Sequence, residues 1–273
     1  EDSFVEVQIK DYTQPDKQHE SYTISYDEIS TNTSQLIKEL NQASDFINYK
    51  VLMEFHNFRH SQEIELFSLF RKEIFPYFQN NKNELLSKII DILEEESKNL
   101  KNSGTKAKYD FGKKLDDFNK YVSKLVKNAI KDINNIFNEN FSDNIYKIRF
   151  DLKYKDGNYN EKNKKLELPS IKLLITLPEK GNETVHKPHS FFNEARLTSI
   201  ALSIRFALLK NRVKIPSLKV LVLDDLLISL DMSNRIKALK IIFKMFKDFQ
   251  LVIMTHDKSF NNEVKRRVLS PDW

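Results

Sequence analysis

Apolar and polar residues alternate along FVEVQIK (4–10) and YTISY (22–26), the two-residue period of half-buried β-strands. SQLIKELNQASDFIN (34–48) has a helical period instead, and FINYKVLMEFHNF (46–58) leads on from it. From about 62 to 140 the period of three and four dominates. Phe111, Leu115, Phe118, Val122, Leu125, Ala129, Ile133 and Ile136 form one apolar seam, and Leu85, Ile89, Ile92 and Leu100 form an earlier one. KNSGTK (101–106) between them is a turn signal, and Pro76 stops the helical pattern before Leu85. The pattern predicts an antiparallel helical hairpin with arms of roughly 20 to 35 residues, about 30 to 50 Å long. IYKIRFDLKY and LELPSIKLLITL then read as two strands joined by the exposed polar loop KDGNYNEKNKK. The last third alternates: helix (about 194–211), apolar strand (218–223), helix (233–247), apolar strand (250–254) and helix (about 258–268). Continuous apolar strands between helices predict a parallel sheet covered on both faces, so the fold class is α/β.

Composition narrows the chemistry. The 273 residues include four glycines and no cysteine, which points to long regular elements and excludes disulfides and thiolate metal sites. No apolar run reaches the length of a membrane span, and the start does not resemble a signal peptide, so a soluble, cytoplasmic protein with no membrane partner is expected. The net charge of +5 favours a polyanionic partner, although a Lys/Asn/Ile-rich composition produces the same excess without one.

Candidate chemistry concentrates at two strand ends. KVLVLDDLLISLD (219–231) places Asp224 and Asp225 directly after the apolar run Val220–Leu223 and adds Asp231 six residues on. Unpaired carboxylates at the end of a buried strand are costly unless they face a cation or a polar cleft. Ligands of open parallel sheets sit beyond the carboxyl ends of the strands. THD (255–257) ends the next strand, so Asp224, Asp225, Thr255 and His256 face one crevice. An aspartate there can hold Mg²⁺, a second carboxylate can orient a water, and a histidine can contact a γ-phosphate.

VLVLDD resembles a Walker B strand, SLD (229–231) the D-loop and VIMTHD the H-loop strand of ABC-type ATPases, in the same order. FFNEARLTSIALSIRFAL (191–208) is similar to the signature helix of the SMC/RecF/RecN branch, which also inserts a coiled coil into its nucleotide-binding domain. The resemblance is specific over about 190–260. It implies an ATPase that dimerises around two ATP·Mg²⁺ and couples hydrolysis to DNA transactions or to an effector protein, in repair, chromosome maintenance or defence against foreign DNA. It implies three segments: ATPase-lobe strands and helix (1–60), the hairpin insertion (61–142), and a second ATPase lobe (143–273). Asp224 becomes the Mg²⁺ ligand, Asp225 the catalytic carboxylate, His256 the switch histidine and Asp231 the D-loop aspartate. Asn193 and Glu194 end the signature motif, whose helix N-terminus faces a partner's γ-phosphate.

The chain departs from that pattern in three places. Phe191, Phe192 and Asn193 stand where Ser-Gly-Gly is usual, which leaves Ser190 as the substitute hydroxyl. Asp225 replaces the usual glutamate. No G-x-x-x-x-G-K-[ST] occurs; DFGKKLDD (110–117) has only its Gly-Lys pair. Because that loop precedes the inserted coiled coil in the family, the chain is expected to be the C-terminal part of such an ATPase, inactive on its own. The departures motivate a second expectation, a non-hydrolysing scaffold or DNA-binding interaction protein. Lysines along the second arm, among them Lys113, Lys120, Lys124, Lys127 and Lys131, are either a solvated face or a track for nucleic-acid phosphates.

Overall fold

A computed structural model describes residues 4–9, 20–25, 45–48, 63–142, 147–186, 188–212, 219–225, 227 and 230–268. It is mixed helix and sheet. The alternation over 4–10 and 22–26 forms strands β1 (Phe4–Ile9) and β2 (Glu20–Ser25), as predicted, and the two pair antiparallel. Strand β3 (Asp45–Asn48) corrects the helix expected over 34–48: its residues pair parallel with Leu221–Asp224. Four residues carry too little period to choose a helix or strand alone, and a distant pairing partner decides. Residues 34–44 lie outside the described ones.

Strand β4 (Ile64–Glu65) and helix α1 (Phe67–Glu73) lead to a tight 3-10 turn over Phe75–Tyr77, with Pro76 inside it. Pro76 ends the helical run as expected. Helix α2 (Leu86–Asn99) and helix α3 (Thr105–Asn140) run antiparallel, with Lys114 bonded to Glu96 and Tyr121 to Asn81. The arms are unequal, at 14 and 36 residues. The second half of α3 packs on strand β5 (Arg149–Lys155) and on the helix formed by Glu194–Arg212.

The seam of α2 is rotated by one residue from the predicted one over Leu85–Ile92, while Leu100, just past the helix, is buried as expected. Leu86, Ile90 and Leu93 are buried, while Ile92 is 49% exposed. The helix has two adjacent apolar stripes, and its anchors choose between them. Leu85 precedes the helix and is tied into a bridge with Gln79. Arg71 forks onto Asp91 and Glu94 at 2.6–2.8 Å, which fixes the helix about its axis. On α3 the predicted seam is buried apart from Leu125, whose place Val126 takes.

The loop predicted over 155–165 closes into a small hairpin of strands β6 (Asn158–Asn160) and β7 (Lys165–Glu167). Buried Asn119 of α3 clamps its base: the side chain accepts from Gly157 N–H and donates to Gly157 O, both at 3.0 Å. A Cβ at Gly157 would stand 2.8 Å from the Pro169 ring, so glycine is required there. Strand β8 (Ser170–Leu177) pairs antiparallel with β5 and β4, and strand β9 (Glu183–Thr184) pairs with its end.

Short helix α4 (Pro188–Phe191) precedes helix α5 (Glu194–Arg212). From Leu197 to Leu209 every residue of α5 is buried, so this is a central helix with no solvent stripe. Its buried Ser199 and Ser203 hydroxyls donate to carbonyls one turn back. A parallel sheet ordered β11–β10–β3 is formed by strands β10 (Val220–Asp224) and β11 (Gln250–Met254) with β3. Helices α6 (Met232–Met245) and α7 (Lys258–Val268) follow those two strands.

Candidate functional site

The site is built at the carboxyl edge of the parallel sheet. Leu221 and Leu223 are buried and draw β10 into the core, which carries Asp224 out to the strand end. The register sets Asp224 level with Met254 on β11 and Asn48 on β3. Asp225 N–H donates to Met254 O at 3.0 Å, extending the pairing beyond the strand.

At Asp225 the chain turns with φ of +46°, a left-handed conformation that aspartate tolerates better than most residues. The turn brings its carboxylate to the neighbouring strand end. His256 N–H donates to Oδ1 at 3.2 Å, and the His256 Nδ1 lies 2.6 Å from Oδ2. Burial pushes the Asp225 carboxyl up, but the bonds from His256 and Thr255 outweigh it and hold the group below the ordinary carboxylate range. An ionised carboxylate only accepts, so Nδ1 carries the proton and Nε2 is the free nitrogen of a ring that is 69% exposed.

Asp224 is different. It is half-buried, and among the described residues no hydrogen bond or ion pair engages its carboxylate. A Mg²⁺ ion takes one or two carboxylates together with phosphate and water oxygens. Asp224 fits such a ligand because its oxygens are uncommitted, whereas both Asp225 oxygens already serve His256. Among the described residues no group of three His, Cys, Asp or Glu converges.

Asp231 caps α6. Its Oδ1 accepts from Asn234 N–H at 3.0 Å and its Oδ2 from the Asn234 amide at 2.7 Å. The Asn234 N–H is the main reason that its carboxyl is held below the ordinary range. Asp257 caps α7 in the same way, accepting from Phe260 N–H at 3.0 Å. That bond first, and then the Arg235 guanidinium, lower its carboxyl as well. Sequence reading did not single out Arg235. The available signal was an arginine on the apolar stripe it shares with Leu239 and Ile242.

Asn193 and Glu194 lie elsewhere, at the start of α5. Asn193 is the cap of that helix, its Oδ1 accepting from Arg196 N–H at 2.9 Å, and Glu194 is exposed in the first turn. Arg196 reaches to the end of α3, donating to Phe141 O at 2.8 Å and lying over the Phe137 ring at 5.0 Å. Ser190 lies in α4, and its side chain falls outside the described residues. Among the described residues no hydrogen bond or ion pair joins Asn193 or Glu194 to the strand-end group.

Below Asp225, between β10, β11, α6 and α7, there is a cavity of about 10 Å³, room for one water at most. No protein-family model matches the chain, and a search of the curated proteins finds no match either.

Proposed function

We propose that the protein is an ABC-type, SMC-like ATPase subunit in which the carboxyl edge of the parallel sheet handles the γ-phosphate of ATP·Mg²⁺. One juxtaposition carries this reading. An uncommitted Asp224 carboxylate and an Asp225–His256 pair stand side by side on adjacent parallel strand ends. In this reading Asp224 would hold Mg²⁺, which would supply charge neutralisation of the phosphate oxygens. Asp225, kept ionised, accepts a proton from the attacking water, and His256, as an imidazolium with Nδ1–H on Asp225, donates Nε2–H to a phosphate oxygen. No G-x-x-x-x-G-K-[ST] occurs in the 273 residues, so this reading assigns none of them to the β- and γ-phosphate cradle.

A second copy is the proposed cover of this edge. Three exposed large apolar residues adjoin the predicted nucleotide segments: Met232 follows Asp231, Met254 precedes Thr255, and Phe191 precedes Asn193 by two positions. Such residues fit burial at an interface. DNA is the proposed polyanionic partner, and an effector protein is the alternative object of control.

The test is ATP turnover by the full-length protein with Mg²⁺, with and without DNA. Asp225→Asn is expected to lower turnover by about a hundredfold or more, the scale of a lost general base. Asp224→Ala should remove the Mg²⁺ dependence with it. Turnover that neither substitution changes would sink the hydrolase reading. ATP binding without turnover favours the scaffold alternative, which the two-oxygen commitment of Asp225 to His256 also supports.

A further inference from the structure

The loops that carry Asp231 and His256 follow different strands, yet one guanidinium joins them. Arg235, in the first turn of α6, donates from Nε to Leu230 O at 2.8 Å and from Nη1 to Asp257 Oδ2 at 2.5 Å. Leu230 immediately precedes Asp231, and Asp257 immediately follows His256. The guanidinium also lies 5.6 Å from the Phe260 ring centroid of α7. Its side chain is only 13% exposed.

We propose that Arg235 is a positioning residue, which sets the His256 imidazole against Asp225 by clamping the loops on either side of the site. The inference rests on the phosphohydrolase reading only for the use made of His256. The geometry is independent of it.

His256 has little to hold it. Its ring projects into solvent, and among the described residues its one side-chain hydrogen bond is to Asp225. Its backbone is held firmly on both sides. Thr255 Oγ1 accepts from Asp257 N–H at 3.2 Å, and Asp257 is fixed by its cap bond to Phe260 N–H and its ion pair to Arg235. With the backbone fixed, only the two side-chain torsions of His256 are free, and the Asp225 contact settles those. Arg235 sets that backbone relative to the end of the 226–231 segment as well, because its second donor holds Leu230 O. A planar fork reaches both acceptors at once; a lysine ammonium is a point charge that meets one of them well.

The test reads the tautomer of His256 in intact, ¹⁵N-labelled protein at about pH 8.5, well above the ordinary imidazole value of about 6.5. The chain has six histidines, so the signal is assigned by its loss in His256→Gln. The wild-type ring should show the Nδ1–H tautomer. Asp225→Ala provides the signal of a released ring. Folded Arg235→Met should move His256 toward that released signal, and Arg235→Lys should restore part of the shift. A wild-type His256 signal in folded Arg235→Met overturns the proposal. If Arg235→Met does not fold, Asp257→Asn is measured instead; it keeps an acceptor for Phe260 N–H, weakens the ion pair and carries the same two outcomes. Turnover lost in Arg235→Met with an unmoved His256 signal also overturns it, because Arg235 then acts on substrate directly. A moved signal in a protein without turnover upholds the clamp while the hydrolase reading fails.

Discussion

Asp225, Asp231 and Asp257 are all held below the ordinary carboxylate range, and this has a direct consequence for acid stability. In the unfolded chain each titrates near the ordinary value of about 3.9. Above that value all three are ionised in both states, and their contribution to stability is fully present. As pH falls, the unfolded chain takes up protons first, so stability is lost until the folded groups protonate too. Urea unfolding midpoints should therefore be flat at the upper end of a pH 6 to 3 series and decline toward its lower end. Asp257→Asn, which cannot titrate, should decline less steeply than wild type, and parallel curves would refute the assignment. At neutral pH, Asp231→Ala should cost about 1 kcal/mol, the usual value of a lost helix cap. Much of this was legible from residues alone. An apolar run ending in Asp-Asp and another ending in Thr-His-Asp already place Asp224, Asp225 and His256 at one edge. Two facts were not legible, because both depend on positions brought together by folding. One is that Asp225 commits both oxygens to His256 while Asp224 commits none among the described residues; the other is that Arg235 ties Leu230 to Asp257.

Among the elements, α2 shows how a sequence can offer two answers. Leu85, Ile89 and Ile92 satisfy a helical seam as well as Leu86, Ile90 and Leu93 do, and hydrophobicity does not separate them. The choice is made by contacts distant in sequence, the Gln79 bridge and the Arg71 fork onto Asp91 and Glu94. Truncation distinguishes the two faces. Ile90 is fully buried, so Ile90→Ala should cost about 2–5 kcal/mol, whereas Ile92→Ala should stay within about 0.5 kcal/mol. Chemical denaturation of the two variants decides it, and equal costs would refute the observed rotation. Strand β3 failed for a related reason, since its identity resides in the register with β10. The longer, strongly periodic elements, α3, α5, α6, α7 and both long strands of the parallel sheet, were predicted to within a few residues because their patterns repeat enough to average out local ambiguity.

Over the whole molecule, the excess of +5 is less informative than where the cations stand. Lys120, Lys124, Lys127 and Lys131 follow one another at steps of four, three and four along α3, a single exposed helix face about 16 Å long. Among the described residues none of the four is paired with an acid, in contrast to Lys114, which is bonded to Glu96, and Lys108, which lies near Glu161. Three of them line an open groove with Ser123 and Asn128, and Asp116 and Asp156 stand at the same groove. A row of unpaired cations costs repulsion and yields nothing within the fold, so a polyanion is the partner that would turn it to use. If DNA lies along this face, each lysine displaces about one condensed counterion, and the logarithm of affinity falls with the logarithm of salt concentration by about 0.9 per contact. Replacing all four with Gln should therefore flatten the salt slope by about 3 to 4 and weaken binding to all sequences alike. The same substitutions should leave the unfolding midpoint nearly unchanged, because exposed side chains on a helix contribute little to stability. An unaltered slope would place the DNA contact elsewhere, and affinity that ignores salt from the start would rule out recognition of DNA phosphates by this face.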